Sequence, residues 1–363
     1  MASCRSRKGA VPNPLSTRLG NRLPATRTFC DSARPADAPA LDTLRRDVTA
    51  SLFTGPWIGI AAGLLAALAS ALSYLVSRHH VLTHPEFRGA GGARLIVQAH
   101  GLMGLACIPA SWLLWPRAGG PPAVAWMPPT VGCAAIYLLG QACFFKALER
   151  VPASKLSPLL GLKVVMLATI VSTFLGSPLD GRQWMAVGLA VAAALSLQRG
   201  DDRVPPASFA LVLVACLCFA LADLQIVALL RVLATQGGEP LGRFHAGCLG
   251  MCLTYVACGA LLLPWARSMV PRTAGGLWPA THYALVWLVA MIALYACLGT
   301  VGAVFGNILQ GTRGVMSVIL GGALAHLGWH ELEEKVDRRT FAARIAAAMA
   351  MAAAIALYAS DPD

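Results

Sequence analysis

Ten blocks of apolar residues, each 16 to 24 long, follow one another between positions 57 and 358 with short polar connectors between them. They fall at about 57–77, 95–115, 129–148, 158–176, 183–198, 208–231, 246–265, 282–302, 314–329 and 341–358. A helix needs about 20 apolar residues to cross the hydrocarbon of a bilayer. It also satisfies its own backbone hydrogen bonds within one segment, which lipid cannot do for it. The connectors, among them "PRAGGPP", "SPLDGRQ", "RGDDRVPPAS" and "HELEEKVDRR", collect the Gly, Pro and charged residues. The pattern predicts an all-α integral membrane protein of ten transmembrane helices, with no room for a soluble domain between them. Composition agrees, because 57% of residues are hydrophobic and 13% charged, against about 25% charged in an ordinary soluble domain.

The charge is uneven. Of a net +12, residues 1–56 carry nine Arg and Lys against four Asp, and the remainder twenty against thirteen acids. Residues 1–50 are rich in Arg and Ser and hold no acid before Asp31, a composition shared with organellar transit sequences. Pro12, Pro14 and Pro24 interrupt any amphipathic helix there, so the segment reads as a disordered basic tail, with a translational start nearer Thr49 as the alternative. No basic stripe is interleaved with aromatics, which excludes nucleic acid as an expected partner. Nine of the eleven cysteines lie in apolar blocks and none forms a CxxC pair, as expected for small packing residues. Cys248 and Cys252 share a helix face but have no His or carboxylate beside them. No metal or cofactor is expected.

A duplication is visible at an offset of 153 residues. "ALAS" at 67–70, followed by Arg78, recurs as "ALAD" at 220–223, followed by Arg231. The same offset carries Trp112 onto Trp265 and Gly161 onto Gly314. This predicts two five-helix halves, 51–203 and 204–363. An odd number of crossings per half makes the repeat inverted, and folds of that kind place a transport site near the midplane between halves.

Two segments carry a family resemblance. "GQACFFKALERVPASKLSPLLGLKVV" (140–165) joins an aromatic-rich helix end, an Ala-Leu pair, a Pro-Ala-Ser turn and a fresh helix in that order. "GNILQGTRGVMSVILGGALAHLGWHELEEKV" (306–336) lies in the matching place of the second half. Both resemble the EamA-type branch of the drug/metabolite transporter superfamily, over about residues 55–360. The first half has "LGSPLDG" where the family often has a Gly-Glu pair. The resemblance implies transport of a small molecule without ATP hydrolysis, and the chain has no GxxxxGK[ST] loop. It also matches Glu331 to a family glutamate, for which a structural role at a helix end is expected.

Polar groups at membrane depth are the candidate site, because each is costly there. Lys163 is the sixth residue of the fourth block and Arg313 borders the ninth. Two cations at related helix starts would hold a carboxylate or phosphate, whereas snorkelling to the headgroups is the alternative for each. Asp223, the one acid well inside a block, is the expected proton-coupling residue, or else a partner of Lys163 or Arg313; Ser70 stands at its counterpart. His100, Gln141, Asn307 and Gln310 are expected to line the substrate path, with Gln98 and Gln225 as further hydrogen-bonding groups; interhelical hydrogen bonding is the competing role for all of them. His79, His80, His84 and Glu86 read as a solvated loop, with a metal site as the lesser alternative.

No carboxylate pair, Ser/His/Asp set or HExxH helix makes catalysis the leading idea. The expectation is a non-enzymatic secondary-active transporter or exporter of a small metabolite or drug-like molecule in the cell (inner or plasma) membrane. A proton or a counter-substrate is the expected coupling partner. A non-transporting multipass protein, either a membrane enzyme or an assembly or sensory subunit, is the alternative. Connector charges, fourteen Arg and Lys in the odd-numbered ones against five in the even, would put both termini outside; the resemblance implies termini inside.

Overall fold

The computed structural model describes residues 56–83, 91–117, 119–151, 156–196, 204–235, 241–269, 277–326 and 338–359. The basic tail, His84, Glu86 and Glu331 lie outside the described residues. Among those described, the chain is all-helical: α1 (Pro56–Thr83), α2 (Gly91–Leu114), α3 (Ala123–Leu148), a 3-10 turn (Ser157–Leu162) running into α4 (Lys163–Phe174), and α5 (Gly181–Ser196). Then follow α6 (Pro206–Thr235), α7 (Arg243–Met269), α8 (Trp278–Val301), α9 (Ala303–His326) and α10 (Arg338–Ala359).

Six of these, α1, α2, α3, α6, α7 and α8, are long and apolar enough to cross a membrane. The ten crossings read from hydropathy are therefore not matched one for one. The 3-10 turn and α4 form one 18-residue segment, Ser157–Phe174, about 30 Å long at about 2.0 and 1.5 Å per residue for the two forms. By contrast α5 has 16 residues, and α9 is long enough but polar in its first half. Helix α9 also starts eleven residues before the block predicted at 314. Asn307, Gln310, Thr312 and Arg313 lower the hydropathy there, yet the polar stretch is helical because it packs against protein.

Local chemistry sets several ends. Gly302, at φ +79°, turns the chain sharply between α8 and α9, a conformation that side-chain-bearing residues rarely adopt. Its N–H closes the end of α8 on the Leu298 carbonyl at 3.1 Å. At the start of α5, Asp180 Oδ1 accepts from the Gln183 N–H at 2.6 Å and Gln183 Oε1 accepts from the Asp180 N–H at 3.1 Å. That reciprocal box satisfies two amides that a helix start would leave unpaired.

The outward surface is apolar, with Leu65, Leu105, Leu139, Leu217, Leu285 and Val289 exposed, while Gln141, Lys163, Asp223, Asn307, Gln310 and Arg313 are buried. That is the reverse of a water-soluble protein, and it is what lipid selects. The protein is an integral multi-pass membrane protein. The described cysteines are all free thiols, packed inside helices.

Helix packing follows a simple scheme. Helix α1 lies against α8 and α9, α6 against α3 and α4, α2 against α7, and α5 against α10. The closest approach of α2 and α7 is made by backbone. A methyl on Gly104 would lie 2.9 Å from the Tyr255 carbonyl oxygen and 3.1 Å from Gly259 Cα, whereas one on Gly101 would meet nothing within 4 Å. Small residues permit this approach in membrane helices, where close packing drives association. Gly104→Val should therefore destabilise the protein by about 1–3 kcal/mol, read as a lowered thermal-unfolding midpoint in detergent, while Gly101→Ala should leave it unchanged or slightly raised.

Candidate functional site

A cavity of about 50 Å³ lies inside the bundle. Its wall draws Tyr74 from α1, Gln141 from α3, Lys163 from α4, Asp223 from α6, Tyr255 from α7, Trp287 from α8, and Gln310 with Arg313 from α9. The sequence candidates Lys163, Asp223, Gln141, Gln310 and Arg313 thus converge on one space. Asn307 stands behind Asp223, and His100 stands behind Tyr137.

Lys163 and Asp223 form a buried ion pair, with Nζ 2.9 Å from Oδ2. Asn307 Nδ2 donates to the same oxygen at 2.7 Å and to the Ala303 carbonyl at 2.9 Å. The 3-10 turn delivers Lys163 as the first residue of α4, and the residue is 6% exposed. Its ammonium is therefore directed into the bundle, not back to the headgroups.

Arg313 is arranged differently. It lies in the middle of α9 and not at a helix start, because α9 begins at Ala303. The guanidinium carbon sits 5.5 Å from the centre of the Tyr74 ring, within range of a cation–π attraction. Nη1 makes one long hydrogen bond, 3.5 Å, to the Tyr74 hydroxyl, and Nε is buried without a partner. Among the described residues no carboxylate neutralises it. Nearby, both amide atoms of Gln310 and Oε1 of Gln141 are also buried and unpaired.

An aromatic chain of hydrogen bonds runs along the other wall. The Trp287 indole N–H donates to Tyr255 OH at 2.6 Å, and Tyr255 donates to Tyr137 OH at 3.2 Å, which also accepts from Gln141 Nε2 at 2.8 Å. His100 Nδ1 is 2.8 Å from the Ile96 carbonyl and its Nε2 is 3.0 Å from Tyr137 OH. A carbonyl can only accept, so Nδ1 carries the proton and Nε2 accepts from Tyr137. Every link then points one way, from α8 through α7 and α3 to α2.

The aromatic lining could not be singled out in the sequence, where Tyr and Trp look like ordinary helix residues. Of the other candidates, Gln98 donates to the Met269 carbonyl at 2.7 Å, outside the cavity. His79 and His80 belong to α1 and not to a loop, and His80 stacks on His282 with ring centres 5.8 Å apart. That packing carries α1 past the block boundary read at residue 77. Among the described residues, no three His, Cys, Asp or Glu side chains could hold a metal. A wider groove of about 700 Å³ is lined by Trp112, Trp115, Trp126 and Arg117, a composition suited to the membrane interface.

Residues 57–198 match the EamA-like transporter family. That match supports membership of the EamA type of the drug/metabolite transporter superfamily, whose members are membrane transporters. No curated protein matches it. A solved structure described only as "Crystal structure of protein" is similar in fold, with a TM-score of 0.55 at 16% identity, over 82% of this chain and 97% of that one. The family match stops at residue 198, but a likeness over 82% of the chain extends into the second half.

Removing one member of a buried ion pair leaves the other charge uncompensated, at about 3–5 kcal/mol. Lys163→Met and Asp223→Asn should each lower the thermal-unfolding midpoint in detergent, and the double variant should recover most of the loss. Additive losses in that cycle would mean that the two side chains do not act as a pair.

Proposed function

We propose that this protein is a secondary-active transporter or exporter that moves a small molecule by alternating access between two inverted five-helix halves, 51–203 and 204–363. The observation that carries the proposal is the cavity into which Gln141, Lys163, Asp223, Gln310 and Arg313 converge, walled by α1, α3 and α4 from one half and by α6 to α9 from the other. Ten helical segments and the packing scheme support the repeat. Exchanging each helix with the one five places along turns α1 with α8 into α6 with α3, and α1 with α9 into α6 with α4, while α2 with α7 and α5 with α10 map onto themselves. The family match ends close to the expected boundary between halves.

At about 50 Å³ the cavity holds a few waters, well short of the roughly 300–1,000 Å³ of a small-molecule pocket. A cargo therefore enters only when the halves part on one side, and the arrangement with the small cavity corresponds in this reading to the closed step of an alternating cycle. In this reading the enclosed residues have separate tasks. Gln141 and Gln310 offer hydrogen bonds to the cargo, His100 anchors the end of the aromatic chain, and Asn307 orients Asp223.

Asp223 is the coupling residue of this proposal. The charged and titratable groups around it are Lys163 from α4 and the thiols of Cys133 from α3 and Cys297 from α8. Protonation of its carboxylate would end the ion pair and free the Lys163 ammonium, so proton binding and helix movement would be linked through one bond. The proposal places the protein in the cell (inner or plasma) membrane.

Proteoliposomes given a pH gradient and a panel of labelled small metabolites test it. The wild-type protein should move at least one compound in response to the gradient, and Asp223→Asn should lose that response by tenfold or more. Lys163→Ala should behave in the same way. If both variants kept the wild-type rate and pH dependence, these assignments would be wrong.

A further inference from the structure

The cavity wall holds three charges, and two of them cancel. Lys163 and Asp223 are joined at 2.9 Å, so among the described residues the wall is left with one uncompensated positive charge, that of Arg313, a residue 8% exposed. A buried cation without a counter-ion is among the costliest groups a protein can hold. It is kept company by further unpaired buried atoms, Arg313 Nε, Gln310 Nε2, Gln310 Oε1 and Gln141 Oε1. Of these, Arg313 Nε and Gln310 Nε2 are hydrogen-bond donors, and both residues face the same space. Positive charge and spare N–H groups together describe the complement of a carboxylate, which a planar guanidinium can engage through two parallel hydrogen bonds.

Most of the remaining lining is aromatic or apolar, with Tyr74, Tyr137, Phe219, Tyr255, Trp287 and Tyr295 as its rings. Tyr74 also packs on Trp287 with ring centres 5.7 Å apart, and Arg313 lies over the Tyr74 ring. A ring entering beside Arg313 would meet Tyr74 and Trp287 in the offset or edge-on contacts that aromatic pairs favour.

We infer that Arg313 and Gln310 form the carboxylate-binding end of a site for a small aromatic monocarboxylate, with Tyr74 and Trp287 receiving its ring. This names the cargo class of the transporter reading and rests on that reading for the opening that admits a ring to the cavity and for the cargo's passage. One negative charge neutralises the wall; a dianion such as a phosphate monoester would leave it net negative in surroundings that solvate charge poorly. Lys163 is outside the recognition set, because Asp223 already holds it. The two cations therefore do not act as the matched pair suggested by their positions in the two halves.

The test uses the full chain in lipid nanodiscs and radiolabelled benzoate as the probe, at equilibrium and without a gradient. Benzoate should bind saturably at one site per chain, and unlabelled phenylacetate should compete, whereas benzamide, benzylamine and sodium chloride at the same concentrations should not. Arg313→Gln should weaken benzoate binding about tenfold to a hundredfold, and Arg313→Lys should restore part of it. The unfolding midpoint of ligand-free Arg313→Gln should equal or exceed that of the wild type, because an uncompensated charge has been removed.

Equal competition by benzamide, displacement by chloride, unchanged binding in Arg313→Gln, or a lowered midpoint in that variant would each overturn the assignment. Absence of benzoate and phenylacetate binding to the wild type would do so as well. The two readings fail separately. Binding without any transport would remove the transporter proposal alone, and gradient-driven passage of an uncharged or cationic cargo by the same cavity would remove only this one.

Discussion

A polar group inside a helix bundle in hydrocarbon has no water to fall back on, so its partner must come from another helix or from the cargo. Lys163 and Asp223 meet that demand between themselves, with Asn307 as the third member. Their bond ties α4 to α6, and Asn307 ties both to α9. The positions of three helices around the cavity are thereby coupled to one carboxylate oxygen. The remaining wall follows from the same demand. Tyr137, Tyr255, Trp287 and His100 satisfy one another in a chain whose direction is set by one backbone carbonyl.

Within that setting Arg313 is the exception. Its neighbours supply a ring face and one long hydrogen bond, but no charge. Other buried polar atoms, among them Tyr283 OH and Asn307 Oδ1, also lack a partner; what sets Arg313 apart is a charge in the cavity wall with no opposite charge beside it among the described residues, and such unsatisfied groups are where function is expected to have overruled stability. The contrast is between a lysine held by its carboxylate and an arginine held only by a ring face, and the proposed coupling and cargo-binding roles follow that division.

Much of this was legible in the chain. Hydropathy marked where most of the helices lie because lipid imposes one rule on every crossing, and charge within or bordering apolar blocks picked out Lys163, Asp223 and Arg313, which do share a cavity. What could not be read was the partnership. Lys163 is 60 residues from Asp223 in sequence, and only packing decides which cation the carboxylate meets. The start of α9 was missed for a related reason. Hydropathy counts Asn307, Gln310 and Arg313 against a membrane helix, although their partners and their cavity are internal. Tyr74, Tyr137, Tyr255 and Trp287 carried no signal at all, since an aromatic residue in an apolar helix is the ordinary case.

The backbone contact of Gly104 with Gly259 has a mechanical consequence. Where helices interlock through large side chains, rotating one past the other means unpacking knobs from holes, a step with a steep barrier. At this crossing neither glycine has a side chain to lift out, and a methyl on either would press into the opposite backbone. At that point the two helices meet without interlocked side chains, so what fixes their angle is the set of side-chain contacts on either side of it, among them the stacking of His100 on Tyr255 and the bond of Gln98 to the Met269 carbonyl.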